Sequence, residues 1–315
     1  DVRTRGGSPF NLLNAGVRKG FLSGGWTISP EQVRHRRVLW NLLELARSGE
    51  RGGYQYTRDF AGHMLAQVPP EQRCGEVIST FPVFPPMEWV EGPVSFYIDA
   101  TFSQVFRDYG KARLVSQRVQ REVLARERAQ YRAAHRICCM AEWAAGSLVR
   151  DYGVAAERVH VVGAGANLAD EAVDGGAPPA DPTDSGFVRF GFVGKDWQRK
   201  GLSQLLEVAE KLELMGWKVE VAAAGFDPAE GPAHGLLRPV GFLDKRRDPA
   251  AMGAFMRACH FGCLFSEAEA YGLSNREFLR VGVPVLTLDV GGLPDTVPRG
   301  CGQLFRADAG AEEMA

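Results

Sequence analysis

Residues 261–297, FGCLFSEAEAYGLSNREFLRVGVPVLTLDVGGLPDTV, constrain the fold more than any other stretch of the chain. The apolar run Phe261–Phe265 predicts a buried strand, and Ser266–Gly272 a polar loop. A helix is expected to start near Ser274 and stop at Gly282. A second buried strand, Val283–Leu288, then ends in the Gly291-Gly292 turn. Strand, loop, helix, strand is the unit of a doubly wound parallel α/β sheet, in which ligands bind where strands end and helices begin.

Two carboxylates mark that place. Glu269 lies in the loop and Glu277 in the first turns of the helix. Between them, the amides of Tyr271, Gly272, Leu273 and Ser274 would point out of the helix N-terminus. Free amides and the positive end of a helix dipole suit an anion such as a phosphate. A carboxylate suits donors instead, and sugar hydroxyls are donors. The stretch therefore reads as a site for a phosphate flanked by polyols, as in a sugar nucleotide. A plainer reading competes. Ser274-Asn275-Arg276-Glu277 is also S-x-x-E, a capping box in which Glu277 only satisfies backbone amides.

The whole string E-A-Y-G-L-S-N-R-E-F-L-R-V-G-V-P-V resembles the E-x-F-G-x-x-x-x-E-A-x-x-x-G-x-P-V segment of the retaining glycosyltransferases of family 4, which have the GT-B fold. Glu269, Tyr271, Gly272, Glu277, Gly282, Pro284 and Val285 fall in register, and Gly291, Gly292, Pro294 and Asp295 continue it. Ser274-Asn275 and Phe278–Arg280 depart from the apolar or small residues usual there. The resemblance implies two Rossmann-like doubly wound domains facing each other across a cleft. It also implies transfer of a sugar from a UDP- or GDP-linked donor to an acceptor hydroxyl with retention of configuration.

Length and bulk composition agree with a globular protein of two domains: 315 residues, 45% hydrophobic, 24% charged. The net charge of −1 argues against nucleic acid as a partner. Six cysteines form no C-x-x-C pair and read as free thiols of a reducing cytoplasm. His260, between Cys259 and Cys263, lacks metal-ligand spacing and reads as core. No apolar run reaches the roughly 18 residues of a membrane span, and no signal peptide is visible. The chain opens at Asp1 in a loop-like run and stops at Ala315 just past the start of a helix, so a fragment is expected, lacking the first strand and the C-terminal helices.

The first domain is expected over 1–165. Gly6-Gly7 precedes a helical pattern, and the resemblance places Gly6 and Gly7 under the donor diphosphate. Glu31–Ala46 predicts a helix with Val38, Leu39, Leu42, Leu43 and Ala46 on one apolar face. Val77–Phe81, Val94–Ile98, Arg136–Met140 and Val159–Val162 predict strands, and Glu142–Tyr152 a helix. Asp99, at a strand end, is either the cap of the next helix or, by the resemblance, a residue facing the cleft. Residues 103–135 predict a long helical region rich in arginine, among them Arg107, Arg113, Arg118, Arg121 and Arg128. That region is a solvated face, or a patch for an anionic acceptor or an anionic membrane surface. Gly, Pro, Asp and Ala dominate 166–186, the expected linker.

The second domain, 187–315, opens with a strand at Val188–Val193 and an amphipathic helix from Leu202. Lys195 and Lys200 flank the turn between them; each carries charge suited to a diphosphate, and the resemblance gives them the leaving phosphate. Pro239–Asp244 resembles a loop whose backbone meets the nucleobase, which assigns Phe242 and Leu243 to the donor. The implied set has Lys195, Lys200, Glu269 and Asp99 as catalytic. Gly6, Gly7, Phe242, Leu243, Tyr271, Gly272, Leu273 and Glu277 would bind the donor, and no metal or cofactor is expected. The expected partners are a nucleotide sugar and a glycan, lipid-linked or small-molecule acceptor, with peripheral membrane contact at the cytoplasmic face. Two rival readings stay open: a sugar-nucleotide epimerase or hydrolase on the same scaffold, and a non-catalytic sugar-nucleotide or glycan-binding homologue.

Overall fold

The structure, a computed structural model, describes residues 7–173, 179 and 181–315. The chain divides between Gly163 and Ala164 into two compact units, each with its own parallel sheet and core.

In the first unit, strands β1 (Val77–Ser79), β2 (Val94–Ile98), β3 (Ile137–Cys139) and β4 (Val159–Val161) lie in the order β1-β2-β3-β4, all parallel. The helices are α1 (Ser8–Arg18), α2 (Arg34–Ser48), α3 (Arg58–Leu65), α4 (Phe102–Asp108), α5 (Gln117–Ala133) and α6 (Glu142–Tyr152). Val94, Phe96, Ile98 and Ile137 are buried beneath Tyr131, Leu148 and Tyr152 of the flanking helices. Such strands, covered on their faces by helices, read as apolar runs, which is why the sequence placed them.

Two features of this unit add to the sequence reading. The arginine-rich region is helical but in separate pieces. Gly110 takes a left-handed φ of 62° and ends the first piece, and Ser116 accepts from the Val119 amide to begin α5. The apolar stripe of α2 does not face the core. Val38, Leu39, Leu42 and Leu43 are exposed, while Glu44 is buried and Trp40 packs against Tyr54 at a ring distance of 5.9 Å. An aromatic contact and the ion pair of buried Glu44 with half-exposed Arg118 outcompete the leucines for the inward face.

The second unit contains β5 (Phe187–Val193), β6 (Lys218–Ala224), β7 (Leu237–Gly241), β8 (Phe261–Leu264), β9 (Val285–Leu288) and β10 (Gly302–Phe305), all parallel, in the order β10-β9-β8-β5-β6-β7. Its helices are α7 (Pro182–Ser185), α8 (Leu202–Leu214), α9 (Pro249–Arg257), α10 (Leu273–Arg280) and α11 (Ala311–Met314). Pro239 sits within β7, expected as loop; β7 is an edge strand, where a residue without an N–H costs no ladder bond. Leu168 and Ala172, inside the segment expected as a linker, are buried against Met252 and Met256 of α9. Gly191 and Gly262 are register partners on β5 and β8. A Cβ at Gly262 would stand 2.3 Å from the Phe278 ring, so this glycine floor lets α10 lie directly on the sheet. That contact places Glu277.

Candidate functional site

β5 is the first strand of its sheet; β6 and β7 extend to one side, β8, β9 and β10 to the other. The strand order therefore reverses between β5 and β8. Loops leaving the two strands at such a point diverge and open a crevice at their carboxyl ends. Most of the expected site residues of this unit lie on those two loops.

The loop after β5 is drawn onto the end of β8. Gly201, the N-cap of α8, has φ 77°, and a Cβ there would meet the Phe265 carbonyl oxygen at 2.0 Å. This approach brings Lys200 to Glu269: its Nζ donates to Oε2 at 2.8 Å. Arg199 lies 3.6 Å from the same oxygen and also donates to the Ala268 carbonyl. The Ser266 hydroxyl adds a 3.5 Å contact. The Gly291-Gly292 turn fixes the backbone, because the Gly292 amide donates to the Glu269 carbonyl at 3.0 Å. Burial works against an ionised Glu269, but Lys200 and then Arg199 outweigh it and hold the carboxyl below its usual range.

Glu277 is not part of a capping box. α10 begins at Leu273, with Gly272 as N-cap at φ 76° and no side chain capping it. The left-handed glycine starts the helix ahead of Ser274, which becomes an interior residue. Its Oγ, with Asn275 Oδ1, is buried without a hydrogen-bond partner beside the first turn. Glu277 is buried and instead takes an ion pair from Lys245 and a backbone hydrogen bond from Asn167. Burial raises its pKa, and Lys245 offsets this only in part. The Asn275 amide donates to the Gly272 carbonyl at 3.0 Å, while the amides of Leu273 and Ser274, at the helix start, have no partners within the helix.

The other expected residues divide. The Tyr271 hydroxyl donates to the Ala164 carbonyl (3.1 Å) and accepts from its amide (2.9 Å), so the side chain pins backbone and only its amide remains for a ligand. Lys195 is exposed, its Nζ 5.3 Å from the centre of the exposed Phe242 ring. The two lysines thus have different partners. Leu243 packs partly buried against the core. In the first unit, Asp99 is half-buried after β2, and it is not the cap of α4: Thr101 and Gln104 form a reciprocal capping box there. Gly7 is the N-cap of α1, with φ 91°. Gly6 lies outside the described residues. Arg199, Lys245 and Asn167 were missed. Arg199 could have been weighed because it adjoins Lys200; Lys245 sits in a basic run, KRR, whose spacing points nowhere. His260 accepts the Arg189 amide on Nδ1 at 2.8 Å, as a core histidine does. Among the described residues, no three His, Cys, Asp or Glu side chains are grouped to hold a metal. All six cysteines are unbonded, and Cys74 is exposed.

Residues 188–315 match the family described as Glycosyl transferases group 1. The same fold recurs in solved structures. Sucrose-phosphate synthase from Thermosynechococcus elongatus superposes with a TM-score of 0.56 at 15% identity, over 76% of this chain and 62% of that one. A glycosyltransferase from Rickettsia africae gives 0.54 at 12% identity, over 96% and 75%. HepE of Anabaena, solved in complex with UDP, gives 0.51 at 15%, over 71% and 60%. The matched region is less than two thirds of the synthase and of HepE. No curated protein sequence matches the chain. With two parallel-sheet α/β units, these likenesses establish a GT-B fold of two Rossmann-like domains.

Proposed function

We propose that the chain transfers a hexosyl group from a UDP- or GDP-linked donor to an acceptor hydroxyl, with retention and without a metal. The observation that carries this reading is the reversal point between β5 and β8. There a charged Lys200–Glu269 pair, the open first turn of α10 and the buried Glu277 lie on adjoining segments. In this reading the donor diphosphate lies on the amides of α10, and Lys200 turns from Glu269 to the leaving phosphate. Glu269, released, accepts hydroxyls of the donor sugar, and Glu277 accepts those of the ribose. Lys195 and Phe242 border the base. The acceptor belongs to the first unit, which also supplies Asp99 and, for the donor diphosphate, Gly7; a cavity of ≈780 Å³ in that unit, lined by Leu13, Phe21, Trp26, Phe84 and Glu76 among others, supports an acceptor with an apolar part. The bond from the anomeric carbon to the phosphate oxygen breaks as the acceptor oxygen bonds on the same face, and the departing phosphate takes the acceptor proton. Cationic and amide donors aimed at the leaving oxygen lower the barrier. Unbonded cysteines support a cytoplasmic setting.

Calorimetric titration of UDP, GDP and ADP in the presence of EDTA tests this reading. One nucleotide should bind wild type, and Glu277→Gln should bind it roughly 10- to 100-fold more weakly, the worth of ~1.5–3 kcal/mol in charge-assisted hydrogen bonds. Absence of binding by folded wild type overturns the donor site, and equal binding by the variant removes Glu277 from it. Rapid donor turnover without an acceptor would make the chain a hydrolase or epimerase.

A further inference from the structure

The outward face of α2 has no place in the reading above. At ~100° per residue, Val38, Leu39, Leu42, Leu43, Leu45 and Ala46 fill one arc of roughly 160°. That arc points away from the unit: Leu39 is 61% exposed, Leu42 59%, Leu43 60% and Val38 50%. The helix is held in this orientation by its opposite side. Glu44 is buried and accepts from the Ser116 hydroxyl and, at 2.9 Å, from Arg118, both at the start of α5. Trp40 packs on Tyr54. Rolling the leucines inward would bring Glu44 out and break both contacts, so the exposure is built in.

Charge identifies what covers the face. Arg34 and Arg36 flank the arc on either side and Arg47 continues the second flank, while His35 falls within the arc and Arg37 on the far side of the helix; all are exposed. The helix has one acid, Glu44, and it is on the buried side. Glu31 and Glu50 lie outside its ends. Apolar side chains in the middle with cations at their margin match an anionic bilayer, in which leucines enter the acyl boundary and guanidinium groups stay among the phosphates. A second copy of this chain would bring arginines against arginines. By contrast, arginines of α4 and α5 are paired within the unit: Arg107 with Asp108, Arg118 with Glu44 and Glu122, Arg128 with the Asp151 carbonyl. Part of the basic surface expected over 103–135 is therefore satisfied internally.

We propose that α2 lies flat on the surface of an anionic membrane as a peripheral docking helix, an inference independent of the glycosyl-transfer reading. The test is co-sedimentation of the full chain with vesicles of phosphatidylcholine alone and of phosphatidylcholine with 30% phosphatidylglycerol, at low and physiological salt. Wild type should bind the anionic vesicles and fail on the neutral ones. Leu42→Ser/Leu43→Ser should weaken binding at least tenfold with an unchanged melting temperature, since both positions are exposed. Arg34→Gln/Arg36→Gln should weaken it and flatten the salt dependence. No binding by wild type, equal binding to neutral vesicles, or binding untouched by both variants overturns the proposal. So does a wild-type dimer in the absence of lipid that the leucine variant converts to monomer, which would make the face a self-association surface.

Discussion

Lys200 and Glu269 are joined across two loops that are distant in sequence, and the worth of that contact can be measured. Their side chains are 18% and 14% exposed, so the pair is neither a surface contact nor fully dry. Removing one partner of a buried pair costs ~3–5 kcal/mol, because the other charge is left in an apolar place. Here Arg199 remains 3.6 Å away and some water reaches both groups. Lys200→Met should therefore cost less, about 2 kcal/mol in urea denaturation. Glu269→Gln should recover part of that loss in the double variant, with a coupling of about 1 kcal/mol. Strict additivity of the two substitutions would mean that the pair is energetically idle and that the site is not built on its charge.

At the scale of elements, the site depends on how closely the loop after β5 approaches the end of β8. Gly201 and Gly216 bracket α8, and both have left-handed φ, 77° and 95°. They differ in surroundings: a Cβ at Gly201 would meet the Phe265 carbonyl at 2.0 Å, whereas one at Gly216 meets nothing within 4 Å. Gly216→Ala should cost about 1 kcal/mol, the conformational penalty alone. Gly201→Ala carries the same penalty plus displacement of the loop, and should cost about 3 kcal/mol or more and weaken nucleotide binding. Equal melting temperatures for the two variants would show that the close approach does not matter. The same geometry explains what was legible in the sequence. Buried parallel strands such as β2, and helices with an inward apolar stripe such as α8, announce themselves because burial and period coincide. Glu269 and Glu277 were legible as a register of residues around a helix start. The partners Lys245 and Asn167 were not, because long-range side-chain pairing leaves no periodic trace. The orientation of α2 was not legible either: its period was correct, but period does not say which side a helix presents when a buried Glu44 and Trp40 compete for the core.

On the scale of the whole molecule, each unit carries buried carboxylates that respond to pH in opposite senses. In the first unit, Glu127 is fully buried and accepts from the Phe102 amide and from the hydroxyls of Tyr131 and Tyr152. Burial dominates these bonds and raises its pKa from the ordinary 4.5 to about 7. Between those values the folded chain holds a proton that the unfolded chain has lost, so stability falls as pH rises through the window, by on the order of 3 kcal/mol. The stabilising protonation is complete below about 4.5. Glu269 in the second unit, with a lowered pKa, contributes stability that is present above the unfolded value and lost as pH falls through its folded one. Glu44 in the first unit behaves like Glu269, so neither disturbs the window from 4.5 to 7; Glu277, its pKa raised by burial, shares the sense of Glu127 but belongs to the second unit. Urea midpoints from pH 4.5 to 8 should accordingly show the first unit weakening with rising pH. Glu127→Gln, neutral throughout, should remove that slope and leave the acid limb below 4.5 unchanged. If the slope persists in the variant, Glu127 does not change protonation on folding, and its three donors outweigh its burial.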